Sequence, residues 1–482
     1  MKAIIKGGIM VMLITAFSCN KSFLERQPKS ATDANSAIVD INSMQYALNG
    51  IYALLKSANY YDCTFYLLPD LVSDNVYLSR INTLRWNTMG AFSTIPTNAY
   101  IDDLYIQTYS SIANCNLFIQ QGGDLKVVSS DSSTRNALIG QAYAIRAEGY
   151  FDLCRIFAQP YNFTSDASQL GVPLVLSSSF NTTDIVNPAR STVKEVYNAV
   201  INDFEKAISL LPENLPGQSS SFKGMITLNA AKALLSRVYL YMGDWADCEE
   251  MATEVINSGQ YSLSSTNNLV QDYSTPNNSE SIFEIVNTAT DQPGTSSVNG
   301  FYNQSGYGEL LPTWNLYNLY SPTDVRLNFM AIGNRKGSGG ETGVPIVTEK
   351  FIETGGLYDQ DISVIRLAEV YLNRAEARAH LGEDEGAIED LTTIAKRADP
   401  SVIIDSTLSG QALIDRILLE RRKELAFEGQ RLFDLTRNKL GFVKYYAGGD
   451  STIVDYPNEK IIFPIPQSEI YINPALQQNP GY

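Results

Sequence analysis

The side chains best suited to chemistry lie close together near the C-terminus, within residues 417–437. Glu420, Glu424 and Glu428 recur there every four residues, a spacing that places them on one face of a helix. Charged side chains surround them: Arg421, Arg422, Lys423, Arg431, Asp434 and Arg437. A glycoside hydrolase needs only a pair of carboxylates, but no motif singles out such a pair. The stretch therefore predicts a structural helix in which acids and arginines form ion pairs, with Gly429 capping or bending it.

Histidine and cysteine offer little further chemistry. The chain has a single histidine, His380, so histidine triads and histidine metal sites are excluded unless this residue carries them. It closes a helical pattern just before Gly382, where a histidine usually complements the negative helix end. Cysteines without CxxC or metal-ligand spacing follow the N-terminal region: Cys63, Cys115, Cys154 and Cys248. We expect buried free thiols at Cys154 and Cys248, no metal site and no cofactor.

The composition narrows the class of partner. The net charge is −16, which argues against nucleic acid because neutralising phosphates requires clustered Lys and Arg. Hydrophobic residues make up 44% and charged residues 18% of the chain, as in a globular protein. The 28 tyrosines, 19 phenylalanines and 3 tryptophans must serve the core, but they also suit a surface that contacts sugars or peptides.

Aromatic residues punctuate two stretches that are rich in Asn, Ser and Gly. Residues 69–87 are irregular and polar-aromatic, and residues 259–360 form a loop-rich insertion with strand candidates at Ser281–Val286 and Val347–Phe351. Aromatic faces beside amides suit stacking on sugar rings and hydrogen bonding to their hydroxyls. For Trp314, a packed helical turn is an equally weighted interpretation. The candidate ligand-binding residues are Trp86, Trp314, Tyr302 and Tyr307, followed by Tyr61 and Asn303.

The rest of the chain is mainly helical. Apolar residues spaced by three and four predict helices that turn at Gly243 and Gly382, each followed by a second helix. A glycine at the turn and a small residue five positions later, Cys248 or Ala387, permit close antiparallel packing. This pattern predicts tetratricopeptide-type helix pairs, which usually bind partners or act as a scaffold.

The N-terminus reads as a targeting segment. Lys2 and Lys6 precede an apolar run from Ile9 to Phe17, too short to span a bilayer but typical of a signal peptide. Cys19 follows Ser18 directly, as in a lipoprotein processing site. We therefore expect residues 1–18 to be a lipoprotein signal peptide and Cys19 to be lipidated, which anchors the chain without spanning the membrane.

Several motifs resemble one known family. RRKELAFEGQRLFDLTR (residues 421–437) is similar to the C-terminal signature of the RagB/SusD family, the nutrient-binding lipoproteins of the Bacteroidota outer membrane. FLERQP (23–28) resembles the family's entry into the fold, and RNALIGQAYAIRAEGYFDLCRIFAQP (135–160) its helix of small residues with a Pro stop. The closing IIFPIPQSEIYINPALQQNPGY (461–482) resembles the family's ending.

This resemblance implies a fold, a location and a partner. It implies a mainly α protein in which tetratricopeptide-type helix pairs scaffold a loop-rich ligand-binding face. One structural unit would comprise an N-terminal half (19–215) and a C-terminal half (216–482) that carries the insertion 259–360. Family members are lipid-anchored on the cell surface, cover a SusC-like TonB-dependent outer membrane transporter, and capture glycans or, in some branches, peptides without cleaving them. The chain is therefore expected not to be an enzyme.

Three functions stay open from the residues. The first is a glycan-binding surface lipoprotein that serves the transporter; the second is the same scaffold capturing peptides; the third is a scaffold that binds only proteins. A glycan site should present flat aromatic faces on one exposed surface, and a peptide site a groove with sheet edges or paired charges. Pure scaffolding would leave Trp86 and Trp314 buried.

Overall fold

Helices dominate the architecture. The computed structural model describes residues 37–178, 187–219, 221–337, 341, 343–352, 356 and 358–482. Its helices, in chain order, are α1 (Ile41–Leu55), α2 (Thr64–Leu71), α3 (Asn87–Gly90), α4 (Ala99–Asp124), α5 (Ser132–Phe157), α6 (Val193–Leu210), α7 (Leu228–Met242), α8 (Trp245–Asn257), α9 (Leu269–Tyr273), α10 (Val298–Tyr302), α11 (Trp314–Tyr317), α12 (Leu367–Leu381), α13 (Asp384–Ala398), α14 (Gly410–Glu424), α15 (Arg431–Arg437) and α16 (Gln467–Ile472).

The long helices pack as successive neighbours, as the repeat pattern predicts. α4 packs on α5 and α5 on α6, while α7 pairs with α8, and α12 with α13. Gly243 and Gly382 end α7 and α12 with φ of 77° and 80°, a left-handed conformation that glycine adopts without strain. Cys248 and Ala387 are fully buried after these turns. The predicted mainly α fold of tetratricopeptide-type pairs is confirmed.

The strands are short and form only two-stranded antiparallel sheets in the described part of the chain. They are β1 (Val76–Leu78), β2 (Ser281–Ile285), β3 (Leu310–Pro312), β4 (Met330–Ile332), β5 (Ile346–Thr348), β6 (Ile362–Arg366), β7 (Phe442–Tyr445) and β8 (Ser451–Val454). β1 pairs with β3, β2 with β6, β4 with β5, and β7 with β8. The insertion 259–360 contributes four of these eight strands, and both strand candidates predicted there, near 281 and 347, are confirmed.

The stretch 417–437 forms two helices rather than one. α14 ends at Glu424 and α15 begins at Arg431, and Gly429 lies between them with φ of 70°. A Cβ on Gly429 would lie 2.6 Å from the Tyr66 carbonyl oxygen, so this turn needs glycine for space as well as for conformation. The predicted bend at Gly429 is confirmed.

The ion pairs expected here exist, but they are deeply buried. Glu424 accepts hydrogen bonds from Arg366 Nη1 at 2.6 Å and from Arg326 Nη1 at 2.7 Å, and it also pairs with Arg397. Arg326 also reaches Glu420 at 2.6 Å. These groups have no access to a substrate, so the cluster is structural. We call Glu424, Arg326, Arg366 and Arg397 the ionic core.

The proline-rich C-terminus packs across the helices as extended chain. Phe463 N donates to Ile156 O at 2.9 Å, and Gln467 N donates to Pro96 O at 2.9 Å. Asn479 Nδ2 donates to the carbonyls of Phe157 and Phe463. The last residues therefore join the end of α5 to the loop before α4.

The sequence also made predictions about the cysteines and the N-terminal segment. Each described cysteine is a buried free thiol: Cys63, Cys115, Cys154 and Cys248. No helix among the described residues is long and apolar enough to cross a membrane. The signal peptide 1–18 and Cys19 lie outside the described residues, and the division at residue 215 stays a prediction.

Candidate ligand-binding face

Three of the predicted ligand residues belong to the core. Trp86 is 1% exposed, and it packs edge-on against Phe301 with ring centroids 5.2 Å apart. Tyr302 is fully buried and stacks on Phe351 at 5.1 Å. Tyr61 is 2% exposed, and its hydroxyl donates to Glu148 at 3.0 Å. The prediction that these rings present free faces to a ligand is wrong, because other aromatic side chains of the core cover them.

The Asn303 side chain also makes its hydrogen bonds within the protein. Its Nδ2 donates to Phe351 O at 2.9 Å, and its Oδ1 accepts from Ser305 N at 2.7 Å. The amide nitrogen and the amide oxygen of Asn303 therefore both make hydrogen bonds within the protein, and these bonds stabilise the turn after α10.

Trp314 and Tyr307 do reach the surface. Trp314 is 46% exposed and opens α11, where it packs edge-on against Tyr317 at 5.4 Å. Tyr307 is half-buried and stacks on Phe301 at 5.1 Å. The Arg85 guanidinium lies 4.7 Å from the Tyr307 ring centroid and donates to its hydroxyl at 3.0 Å. Trp314 therefore forms the helical turn that one interpretation predicted, while its stacking on a ligand stays a prediction.

An open cavity of about 340 Å³ lies beside β1 and β7. Its polar and aromatic walls are Arg80, Asn82, Asn87, Tyr445 and Tyr446, and its apolar floor includes Leu71, Leu78 and Ala91. No hydrogen bond joins the Asn87 amide or the Tyr445 hydroxyl to any residue that the structure describes. The cavity therefore offers amide and hydroxyl groups together with ring faces, which is the chemistry of sugar recognition.

A buried lysine fixes the walls of this cavity. Lys444 on β7 is 1% exposed, and its ammonium donates to the carbonyls of Leu71, Ser73 and Val76. Burial lowers the pKa of Lys444 to about 7. Its hydrogen bonds hold the strand that carries Tyr445 against the loop and strand that lead to Arg80.

Strand pairing places Trp314 and Arg80 at opposite ends of β1. β1 and β3 pair with Val76 opposite Pro312, so Trp314 emerges next to the start of β1, and Arg80 follows its end. Arg422 links α11 to the start of β1, because it donates to Asn315 at 2.8 Å and to Asn75 at 3.0 Å. We call Trp314 and the cavity walls Arg80, Asn82, Asn87, Tyr445 and Tyr446 the loop face.

Sequence reasoning found only part of the loop face. Arg80, Asn82 and Asn87 lie in residues 69–87, a stretch whose polar-aromatic character could have suggested them. Tyr445 and Tyr446 carry no local signal, because they reach the cavity only through the contact of β7 with β1.

A second, larger cavity lies between α1 and the loop after β2. It has a volume of about 560 Å³ and is lined by Asn49, Tyr52, Lys56, Phe222 and Gln292, among others. Most of its polar groups already have partners. The Tyr52 hydroxyl donates to Gln141 at 2.8 Å, and the Lys56 ammonium lies 2.9 Å from Asp291. The loop face is therefore the better candidate for a ligand site.

Catalytic and metal-binding groups contribute little to the face. Among the described residues, no three or more His, Cys, Asp or Glu side chains are grouped to hold a metal ion. His380 lies in the last turn of α12, as predicted, but its ring stacks on Trp245 at 3.8 Å. Burial lowers the pKa of His380, so stacking on Trp245, rather than charge at the helix end, defines its role.

Comparisons with known proteins converge on one family. A family model described as "SusD family" matches residues 257–482, and one described as "Starch-binding associating with outer membrane" matches residues 22–240. A solved SusD superfamily protein from Bacteroides thetaiotaomicron is 30% identical, with a TM-score of 0.82, and the match covers 92% of this chain and 100% of that one.

Two relatives from sequence comparison agree. SusD-like protein P2 of Formosa agariphila is 26% identical over 99% of both chains. Starch-binding protein SusD of Bacteroides thetaiotaomicron is 36% identical over 131 residues, which are 26% of this chain and 22% of that protein. The family models together match both parts of the chain, on either side of residues 241–256.

Proposed function

Because this chain belongs to the SusD family, we propose that it binds glycans at the loop face and delivers them to a partner TonB-dependent outer membrane transporter. The observation that carries the proposal is the open cavity that Asn87 and Tyr445 line, since the amide and the hydroxyl of these residues have no hydrogen-bond partner among the described residues. A lipid anchor at Cys19 would hold the protein at the outer membrane, exposed on the cell surface. The protein would bind its ligand without cleaving it.

The chemistry of the loop face favours sugars. A sugar ring presents an apolar face and a rim of hydroxyls, so it suits an aromatic platform flanked by amides and a guanidinium. Trp314 supplies the most exposed tryptophan ring, and Tyr445 and Tyr446 line the cavity. Asn87 and Arg80 provide hydrogen-bonding groups at its rim. The name of the starch-binding relative points to the same class of ligand.

Apolar side chains close to the cavity support a protein partner. Ile81 is 53% and Leu84 is 71% exposed, and both follow β1 in the loop that holds Arg80. Contiguous exposed apolar residues commonly mark protein contacts. A transporter barrel that docked here would enclose the ligand between the two proteins.

Ligand binding by the purified chain, begun at Asn20, tests the proposal. Isothermal titration calorimetry against panels of oligosaccharides and peptides should show saturable binding to a glycan class. Tyr445→Ala and Trp314→Ala should weaken this binding, because each removes an aromatic surface worth about 1 kcal/mol or more to a stacked ring. Tyr471→Ala is the matched control, since Tyr471 is 79% exposed and lies on α16, away from the cavity.

Each outcome of this test separates the functions that the sequence left open. Binding only to peptides would replace the glycan with a peptide ligand at the same scaffold. Glycan binding that Tyr445→Ala and Trp314→Ala leave unchanged would move the site away from the loop face. If no ligand binds with or without the transporter, a scaffold that binds only proteins becomes the better explanation.

A further inference from the structure

A group of buried oxygen atoms near Asp62 lacks hydrogen-bond partners. Asp62 is fully buried, Asn299 is 1% exposed and Asn287 is 5% exposed. Among the described residues, no donor reaches Asp62 Oδ2, Asn287 Oδ1 or Asn299 Oδ1. Buried polar atoms are almost always hydrogen-bonded, so these three unpartnered oxygens on neighbouring side chains require an explanation.

Hydrogen bonds show that these side chains meet. Asn287 Nδ2 and Asn299 Nδ2 donate to the same acceptor, Gln360 O, at 3.2 and 3.1 Å. Asn287 Nδ2 also lies 3.3 Å from Asp62 Oδ1, and Val298 N donates to Asp62 O at 2.7 Å. The amide nitrogens therefore point towards Gln360 and Asp62, and the amide oxygens have no hydrogen-bond donor among the described residues.

A second carboxylate borders the group. Asp361 follows Gln360 in the chain, and its Oδ1 accepts from Asn287 N at 2.7 Å. Its Oδ2 has no partner among the described residues either. Only oxygen atoms are therefore left over here, and they come from two carboxylates and two amides.

The charge of Asp62 lacks compensation. A buried carboxylate is costly unless a cation or several donors neutralise it, and Asp62 has a single long hydrogen bond from Asn287. Lys56 is the cation that acts on Asp62, but its ammonium pairs with Asp291 at 2.9 Å. A bound cation would satisfy the charge and the free oxygens together.

We propose that Asp62, Asn287 and Asn299, with Asp361 beside them, hold a calcium ion. Calcium takes oxygen ligands from carboxylates, amide groups and backbone carbonyls, and tolerates irregular geometry. The set contains only two carboxylates, those of Asp62 and Asp361. The amide oxygens of Asn287 and Asn299 would supply the further oxygen ligands. Water or nearby carbonyls would fill the remaining positions.

The ion would join three parts of the chain. Asp62 lies between α1 and α2, Asn287 follows β2, and Asn299 opens α10. α10 carries Phe301, on which Tyr307 stacks. The calcium ion would thus stabilise the base of the insertion, whether or not the loop face binds a glycan.

Calcium titration of the purified protein tests this inference. After dialysis against EDTA, CaCl₂ up to about 5 mM should raise the melting temperature, as expected for sites with dissociation constants of about 10⁻⁴ to 10⁻³ M or tighter. Asp62→Asn should weaken calcium binding roughly tenfold or more, because affinity depends on ligand charge. Glu254→Gln is the control, since it changes an exposed acid on α8 that pairs with Lys232 and not with Lys56.

Asn299→Ala gives a second variant if Asp62→Asn does not fold, and it should also lose the calcium response. MgCl₂ and NaCl arms at matched ionic strength separate a calcium site from a general salt effect. The inference is overturned if calorimetry detects no calcium binding to the wild-type protein, or if Asp62→Asn and Asn299→Ala bind calcium as tightly as the wild type. In either case the free oxygens would face buried water or protonated carboxyl groups.

Discussion

The ionic core and the loop face both contain polar side chains that could bind a ligand, but they differ in what those polar atoms already bind. In the ionic core, three buried arginines point at Glu424, and their hydrogen bonds to it leave no space for a ligand. On the loop face, the Asn87 amide and the Tyr445 hydroxyl line an open cavity. Residue type and spacing drew attention to Glu424 first, yet both oxygens of its carboxylate are already bound by arginines.

The aromatic residues show the same contrast. Trp86 and Trp314 both lie in polar, loop-rich sequence, but Trp86 is 1% and Trp314 is 46% exposed. Trp86 is enclosed by Tyr100 and Phe301, with centroids 5.0 and 5.2 Å away. Exposure of the side chain, rather than residue type, therefore separates a stabilising residue from a candidate binding residue in this protein.

The largest effect should come from breaking the ionic core. Glu424→Gln leaves three buried guanidiniums without their shared carboxylate, and removing one member of a buried ion pair costs about 3 to 5 kcal/mol. We expect a loss of unfolding free energy at the upper end of this range, measured by urea denaturation. Glu254→Gln is the control, because Glu254 pairs with Lys232 at a solvent-exposed position, where a pair contributes about 0 to 1 kcal/mol. Equal losses in the two variants would contradict a special role for the ionic core.

Replacing the two tryptophans should separate stability from binding. Trp86→Ala should cost about 3 to 5 kcal/mol of unfolding free energy, because it opens a cavity between packed rings. Trp314→Ala should change the unfolding free energy by only about 0.5 kcal/mol, as surface substitutions usually do. Urea denaturation of both variants tests this directly. A loss of several kcal/mol in Trp314→Ala would show that its ring belongs to the core.

The scaffold was predictable because its signals are local. The turns at Gly243 and Gly382 and the bend at Gly429 can each be inferred from a few neighbouring residues, and the structure adds a helix cap of the same local kind at Thr192. Thr192 Oγ1 accepts from Glu195 N at 3.2 Å, and the Glu195 carboxylate accepts from Thr192 N at 2.8 Å. Local chemistry of this kind determines where helices begin and end.

The site was less predictable because its contacts are distant in sequence. Tyr302 is buried against Phe351 and Phe427, and no pattern near residue 302 reveals those partners. Tyr445 joins the cavity because Lys444 bonds to Val76 at 2.7 Å, across more than half of the chain. Exposure depends on such long-range packing, so spacing alone could not distinguish Trp86 from Trp314.

The smallest effect should be the pH dependence of the ionic core, which tests whether its charges stabilise the fold. Burial alone would raise the pKa of Glu424, but Arg397, Arg366 and Arg326 together hold it well below its usual range. A carboxylate with a lowered pKa in the folded protein contributes stability above the pKa of the unfolded chain, about 4.3 for Glu. That contribution is lost as the pH falls through the folded pKa, at about 1.4 kcal/mol for each unit between the two values.

The wild type should therefore lose stability between pH 7 and pH 3.5 more steeply than Glu424→Gln, in which this titration is removed. The difference between their unfolding free energies should narrow as the pH falls below about 4.3. Urea denaturation at several pH values measures this difference, and Glu254→Gln should follow the wild-type curve. A constant difference across the range would mean that Glu424 stabilises the fold through its shape and hydrogen bonds, and that its charge contributes little.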